Sequence, residues 1–216
     1  KTTDGDLELS GLNTGFDVSN AVYSQSFSIS AQEASPETLK FNSDGTKMFV
    51  MGTAGVDVNE YALTTGFDVS TASFTDSFSV SGQETNPQGL AFSTDGTRMF
   101  VTGGAGDDAN EYALSTGFDV STASFVTNFS VSSQTSSPQG VAFNNDGTKM
   151  YVLGNNNSTV FQYTLPTGFA LASASYDSVS FDLSGQASNP KDLVFNSTGT
   201  KLFVTDAGND HVLEYF

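Results

Sequence analysis

The 216-residue chain has no cysteine and no tryptophan, a single histidine, and only seven basic residues. Without cysteine there can be no disulfide, no thiolate metal site and no cysteine nucleophile. Against seven Lys and Arg stand 24 Asp and Glu, a formal net charge of −17. A chain that acidic repels nucleic-acid phosphates and anionic lipid headgroups, so neither is an expected partner. No apolar run approaches the eighteen residues a membrane-spanning helix needs, so no membrane insertion is expected. Few charged residues together with 21 glycines exclude a coiled coil or long helices. What the chain does have is 19 Phe and 7 Tyr, large apolar faces enough to build a core. It opens on Lys1 rather than Met, as expected of a processed or excised piece whose signal peptide is already gone.

Internal repetition is the main signal. Pro36, Pro87, Pro138 and Pro190 are 51, 51 and 52 residues apart, and Gly15, Gly66, Gly117 and Gly168 are 51 apart each time. The same turn recurs as SDGTKMFV from Ser43, TDGTRMFV from Thr94, NDGTKMYV from Asn145 and STGTKLFV from Ser197. In the second unit, LAFS (Leu90–Ser93) and RMFVTG flank an Asp-Gly hairpin, NEYAL follows as a third strand, and FVTNFSVS (Phe125–Ser132) alternates as a fourth. No segment shows sustained helical spacing. Four short antiparallel strands in about 50 residues are the arithmetic of a β-propeller blade. A lone four-stranded sheet would leave two apolar faces wet, so blades stack around an axis, with Phe41, Phe92, Phe143 and Phe195 filling their interfaces. Two joined sandwiches are the alternative, which in-phase repetition disfavours.

The expected fold is therefore all-β: one propeller domain, 1–216, of four blades with four antiparallel strands each. Its repeats run approximately 36–86, 87–137, 138–189 and 190–216, the last completed by 16–35. VYSQSFSIS (Val22–Ser30) reads as a fourth strand without preceding partners, and the last unit ends after its third strand at His211–Phe216. Pairing the two would close the ring and hide both sheet edges. A cut from a larger ring and a larger ring made of two chains are the alternatives. Lys191 could pair with Glu37 across the closure.

SNPKDLVFNSTGTKLFVTDAGNDHVLEYF and SPQGVAFNNDGTKMYVLGNNNSTVFQY resemble the propeller repeats named for their YVTN motif, found in cell-surface and lactonase-like proteins. The resemblance covers roughly three strands per blade. TGFDVSTASF and the Ser-rich outer strand depart from it and are similar to extended arrays in secreted proteins of marine bacteria and phages. The resemblance implies the fold; propellers host enzymes, lectins and scaffolds alike.

Loops before each first strand and between second and third strands share one face. There Gln32, Gln83, Gln134 and Gln186 recur, read either as a ring of ligand amides or, by their repetition, as ties between blades. Asp57, Asp107 with Asp108, Asn156, and Asp206 with Asp210 and His211 differ between blades, as a binding site would. Ordinary solvated loops are the plainer reading, and neither EF-hand spacing nor the calcium nonapeptide is present. No cofactor is expected, with Ca2+ as a weak candidate and the metal otherwise unknown. Glu60, Glu111, Gln162 and Glu214 each precede a Tyr on the third strand and read as structural, because a buried carboxylate needs donors. Arg98, Lys47, Lys149 and Lys201 read as one repeated turn residue. Asp17, Asp68 and Asp119 are expected to accept from nearby backbone amides, a role dropped at Ala170.

His211 beside Asp210 has no nucleophile arranged with it by the sequence, and no carboxylate pair stands apart from the repeat. The chain is therefore expected to be a non-enzymatic extracellular, cell-surface or virion-surface module that binds a protein or glycan, or acts as a scaffold. It is expected to be a monomer, a dimer being the alternative. A polysaccharide-active or lactonase-like enzyme using a divalent cation is the competing reading.

Overall fold

A computed structural model describes residues 23–216, arranged as four antiparallel sheets in chain order. Blade 1 comprises β1 (Pro36–Phe41), β2 (Lys47–Gly52), β3 (Asp57–Leu63) and β4 (Ala72–Ser79); blade 2 comprises β5 (Pro87–Phe92), β6 (Arg98–Gly103), β7 (Asp108–Leu114) and β8 (Ala123–Ser130). Blade 3 holds β9 (Pro138–Phe143), β10 (Lys149–Gly154), β11 (Thr159–Thr164) and β12 (Ser175–Asp182); blade 4 holds β13 (Pro190–Phe195), β14 (Leu202–Asp206) and β15 (His211–Tyr215). This is the four-blade propeller arrangement that the repeat predicts. Among the described residues three short 3-10 turns, Val69–Thr71, Val120–Thr122 and Leu171–Ser173, precede the outer strands. They are an element that strand periodicity alone does not show.

The middle strands β2, β3, β6 and β7 are buried along nearly their whole length, because blade 2 lies between blades 1 and 3 and the other face of blade 1 carries Phe27 and Ile29. Rings interlock from blade to blade: Phe49 meets Phe92 at 4.5 Å, Phe100 meets Phe143 at 4.3 Å, and Tyr151 meets Phe195 at 4.6 Å. A third ring caps two of these pairs, Phe118 lying 5.6 Å from Phe92 and Phe169 lying 5.4 Å from Phe143. Phe67, Phe118 and Phe169 all hold a left-handed backbone (φ 61, 59 and 59°), unusual for so bulky a residue. What holds it is local: each Phe N–H donates to the carbonyl of Gly45, Gly96 or Gly147, and each ring covers that glycine. A Cβ on any of the three glycines would run into the ring.

Blades are also latched by charge. Lys47 Nζ donates to Glu60 Oε1 (2.6 Å) and to the Phe118 carbonyl of the next blade (2.6 Å), while Glu60 Oε2 accepts the Val120 N–H (2.9 Å). Arg98 Nη1 donates to Glu111 Oε1 (2.6 Å), and Glu111 Oε2 accepts the Leu171 N–H of blade 3 (2.8 Å). The repeated basic residue is thus half of an inter-blade device. Its carboxylate partner accepts a backbone amide of the neighbouring blade. Gln162 replaces the carboxylate in blade 3, and Lys149 pairs instead with Asp177 of β12 (2.7 Å), which also accepts from Gln162 (2.8 Å) and Thr164 (2.5 Å).

At the axis Lys40 of β1 pairs with Asp192 of β13 at 3.0 Å, in place of the expected Lys191–Glu37 pair. Both strands change register just after their opening proline, and Asp192 comes to lie against Gly140. Among the described residues β15 pairs with β14 alone. Phe27 and Ile29 pack on blade 1 against Met48, Val50, Tyr61 and Leu63. Residues 16–22 of the expected completing strand lie outside the described residues.

Replacing Glu111 by Ala leaves Arg98 and a buried amide without their partner. The expected cost is about 2–4 kcal/mol in a denaturant titration, with Glu111→Gln losing less. Burial works against ionising Asp177, but donors from Lys149, Thr164 and Gln162 outweigh it and hold the carboxyl down to about 2. A depressed carboxylate stabilises the fold above its unfolded pKa and ceases to as pH falls through the folded one. Asp177→Asn should therefore flatten part of the stability loss between about pH 4 and 2, by on the order of 1 kcal/mol.

Candidate functional site

The candidate face is built from the β2–β3 hairpin of each blade and the loop that precedes each first strand. All four hairpins enter the third strand through a left-handed residue: Val56, Asp107, Ser158 and Asp210 (φ 53, 50, 46 and 56°). The identical backbone carries different side chains at and after that point: Val56-Asp57, Asp107-Asp108, Ser158-Thr159 and Asp210-His211. Asp and Asn tolerate this conformation, while β-branched Val56 does so only because the hairpin imposes it.

The predicted residues fall into two groups. In the framework group, Tyr112 and Tyr163 hydroxyls donate to Gln83 and Gln134 Oε1 (3.4 Å each), joining loop to blade. Asp206 is 2% exposed and accepts the N–H groups of Asn189 (2.6 Å), Ser188 (3.2 Å), Gly208 (3.3 Å) and Asn209 (3.2 Å). Burial alone would raise its pKa, but the Asn189, Gly208 and Ser188 amides and the Asn209 side chain hold it below the usual carboxylate range. Asp108 is buried too and accepts from Asn110 (2.7 Å) and Asn128 (2.5 Å). Asn156 Oδ1 accepts the Thr135 hydroxyl (2.5 Å).

In the hairpin-tip group, Asp210 and His211 are exposed, and their side chains make no hydrogen bond among the described residues. One oxygen of Asp107 is buried without a partner. Burial raises the pKa of Asp57, the Asn59 amide opposes it, and the nearby Glu33 charge adds to the rise. The structure does not gather these tips into one cluster, and among the described residues no three His, Asp or Glu converge at metal-binding distance.

Sequence reasoning missed two framework carboxylates next to the repeated glutamines. Glu33 accepts from Ser35 (2.6 Å), Ala54 (3.2 Å) and Gly55 (3.0 Å) amides; Glu84 accepts from Asn86 (2.6 Å), Ala105 (3.1 Å) and Gly106 (3.3 Å). The signal was available in a pair of aligned columns. Glu33, Glu84, Thr135 and Ala187 stand opposite Gly52, Gly103, Gly154 and Asp206. Where the loop residue shrinks to Ala187, the strand residue grows from Gly to Asp206 and supplies the carboxylate from the other side.

No family model matches this chain, and no curated protein does. Solved structures do. A proposed 6-phosphogluconolactonase from Bacteroides fragilis superposes with TM-score 0.58 at 13% identity, over 83% of this chain and 49% of its own. A functionally unknown protein from Desulfotomaculum acetoxidans gives TM-score 0.59 at 16% identity, over 85% and 55%. Hydrazine synthase from Kuenenia stuttgartiensis gives 0.54 at 16% identity, over 87% and 47%. The chain spans about half the length of the structures it matches, and at these identities the likeness is one of fold.

Asp206→Ala should lower stability by about 2–4 kcal/mol, since four amides lose their acceptor. Asp210→Asn should leave the thermal midpoint within about 1 °C, as expected of an exposed substitution that suits a left-handed backbone. Paired melting curves distinguish a framework carboxylate from a surface one.

Proposed function

We propose that the chain is a non-enzymatic interaction module, a rigid acidic propeller that presents its hairpin face to a protein partner outside the cell or on a virion. The observation that carries this reading is the division between framework residues and hairpin tips. Those that repeat bond the framework, whereas the hairpin tips keep one backbone and change their side chains. A fixed scaffold with variable tips suits recognition, because ordering costs little on binding. A protein is favoured over a glycan since the chain has no Trp to stack on sugar rings. Net charge of −17 favours a basic partner, drawn in by long-range attraction that salt screens. The same reading takes the disc to be closed by its N-terminal strand and to work as a monomer.

Two propellers among the structural matches are proposed 6-phosphogluconolactonases, which supports a second reading: a lactonase-like enzyme that uses a divalent cation with Asp57, Asp107 or Asp108. Hydrolysis of 6-phosphogluconolactone, with and without Ca2+ or Mg2+, tests it directly, and turnover lost in Asp107→Asn would replace the binding reading.

For the interaction reading, an array of basic peptides and a glycan array are probed with three proteins: the unaltered chain and two double variants. Asp107→Asn with Asp210→Asn neutralises two hairpin tips; Glu37→Gln with Asp76→Asn removes the same charge elsewhere. Peptide binding should weaken about tenfold in the first pair, about twofold or less in the second, and fall with added salt. Equal loss in both pairs, or binding confined to glycans, would reject it.

A further inference from the structure

The first strands of the four blades lie along the axis, and one register position in them borders a single cavity. Lys40, Ala91, Ala142 and Val194 each pair with the aromatic residue of the second strand: Phe49, Phe100, Tyr151 and Phe203. All four line an axial well of about 420 Å³. Phe41, Phe92, Phe118, Val141 and Leu193 make the rest of its wall apolar. Ser43, Ser93 and Thr94, from the turns between first and second strands, stand at its rim. The well therefore belongs to the end of the axis away from the hairpin face, whose loops join second to third strands. Small side chains at Ala91 and Ala142 leave the space. Val194 keeps 55% of its surface exposed, apolar area that costs free energy while it faces water.

The repetition breaks here in two places, and the two breaks meet. Where blades 2, 3 and 4 carry Ala91, Ala142 and Val194, blade 1 carries Lys40; where blades 1, 2 and 3 carry Thr38, Gly89 and Gly140, blade 4 carries Asp192. Lys40 Nζ donates to Asp192 Oδ2 at 3.0 Å, and Asp192 Oδ1 accepts the Leu193 N–H (2.8 Å). The side chains of this pair are 24% and 31% exposed, so it adds little to stability. What it adds is a donor beside apolar walls. An ammonium has three N–H bonds, and Lys40 uses one of them among the described residues, whereas both Asp192 oxygens are engaged. The Ser93 hydroxyl is also taken, donating to Asp95 (2.7 Å) and accepting the Arg98 N–H (2.9 Å).

We propose that this well binds a small, uncharged, largely apolar molecule with one carbonyl oxygen. The oxygen accepts from the Lys40 ammonium while the hydrocarbon body covers Ala91, Ala142 and Val194. An apolar lining with few convergent polar groups is the usual make-up of a small-molecule site. The ligand is a hydrogen-bond acceptor because the one polar group of the four-residue ring donates and cannot accept. It is uncharged because Asp192 already neutralises Lys40, and a chain of net charge −17 repels a further anion. The site is separate from the hairpin face and stands or falls without the protein-binding reading.

The test uses propionyl-dimethylaminonaphthalene, an uncharged naphthyl ketone whose emission moves to the blue in apolar surroundings. Titrated into the full chain, it should give a saturable blue shift, and the thermal midpoint should rise with its concentration. Ala142→Leu fills the well from its wall and Val194→Phe from an exposed position, so one remains informative if the other folds poorly. Each should weaken binding about tenfold or more. The unaltered chain should prefer the ketone to its propyl analogue, which lacks the oxygen, by about tenfold. Lys40→Met with Asp192→Asn keeps the apolar length and should abolish that preference. No saturable shift, or undiminished affinity in the folded filling variants, overturns the site. Tighter binding of the matching naphthoate overturns the uncharged class, and a ketone preference kept in the double variant overturns the role of Lys40.

Discussion

The carboxylate that leaves the third strand of one blade and ends on the turn of the next organises the rest of the structure. Glu60 and Glu111 are each 2% exposed, a burial that would be prohibitive for an isolated charge. Here one oxygen meets Lys47 or Arg98 and the other an amide of the neighbouring 3-10 turn, so both charges are met at once. Such a pair adds little net stability compared with an apolar one of equal size, but removing a single member is costly. What it adds is position. Only a turn at the right height can offer its amide, and this requirement fixes where the TGF segment runs in blades 2 and 3. The left-handed Phe is held locally, since Phe67 keeps the same backbone on the Gly45 carbonyl with no latch to its turn among the described residues.

That requirement makes the molecule a chain of nearest neighbours. Blade 2 is latched on both sides, from Glu60 behind and through Glu111 ahead, while blade 4 presents Lys201 and Glu214 with no turn among the described residues to receive them. Stability in such arrays accumulates junction by junction. Changes between repeats accordingly come in compensating sets. Where Gln162 loses the charge, Asp177 restores an anion for Lys149 from the adjacent strand; where Ala187 loses a loop carboxylate, Asp206 replaces a glycine opposite it. In both cases the bond is kept although a different residue supplies the carboxylate.

This explains how much could be read in advance. The four-blade arrangement follows from the spacing of prolines and DGT turns alone, since a hairpin signal repeated in phase leaves little choice of architecture. The cap role of Asp68 and Asp119 was also legible: each accepts from an amide two residues on, at 3.0 and 3.1 Å, and Ala170 has no such bond. The latch was not legible, because its two halves lie sixty residues apart in different blades, and the repeated basic residue and the repeated carboxylate read as two separate features. The 3-10 turns were hidden for a different reason: three residues are too few to carry a period. Glu33 and Glu84 were overlooked beside glutamines that repeat without exception, though it is the pair of columns that trade a carboxylate across a glycine that identifies them.

The same division separates frame from face. Glu33, Glu84, Glu60, Glu111, Asp177 and Asp206 are bound into the framework by amides and cations that leave them no capacity for a ligand. Asp210 and His211 have no such bonds among the described residues, and Asp107 keeps one oxygen unpartnered. Because the hairpins share one backbone, substitution at their tips alters surface chemistry without disturbing the blade that carries them. Tip residues can therefore diverge from blade to blade while the interfaces stay fixed, because four tips of common backbone geometry carry unequal charge and none of them takes part in the bonds that join one blade to the next.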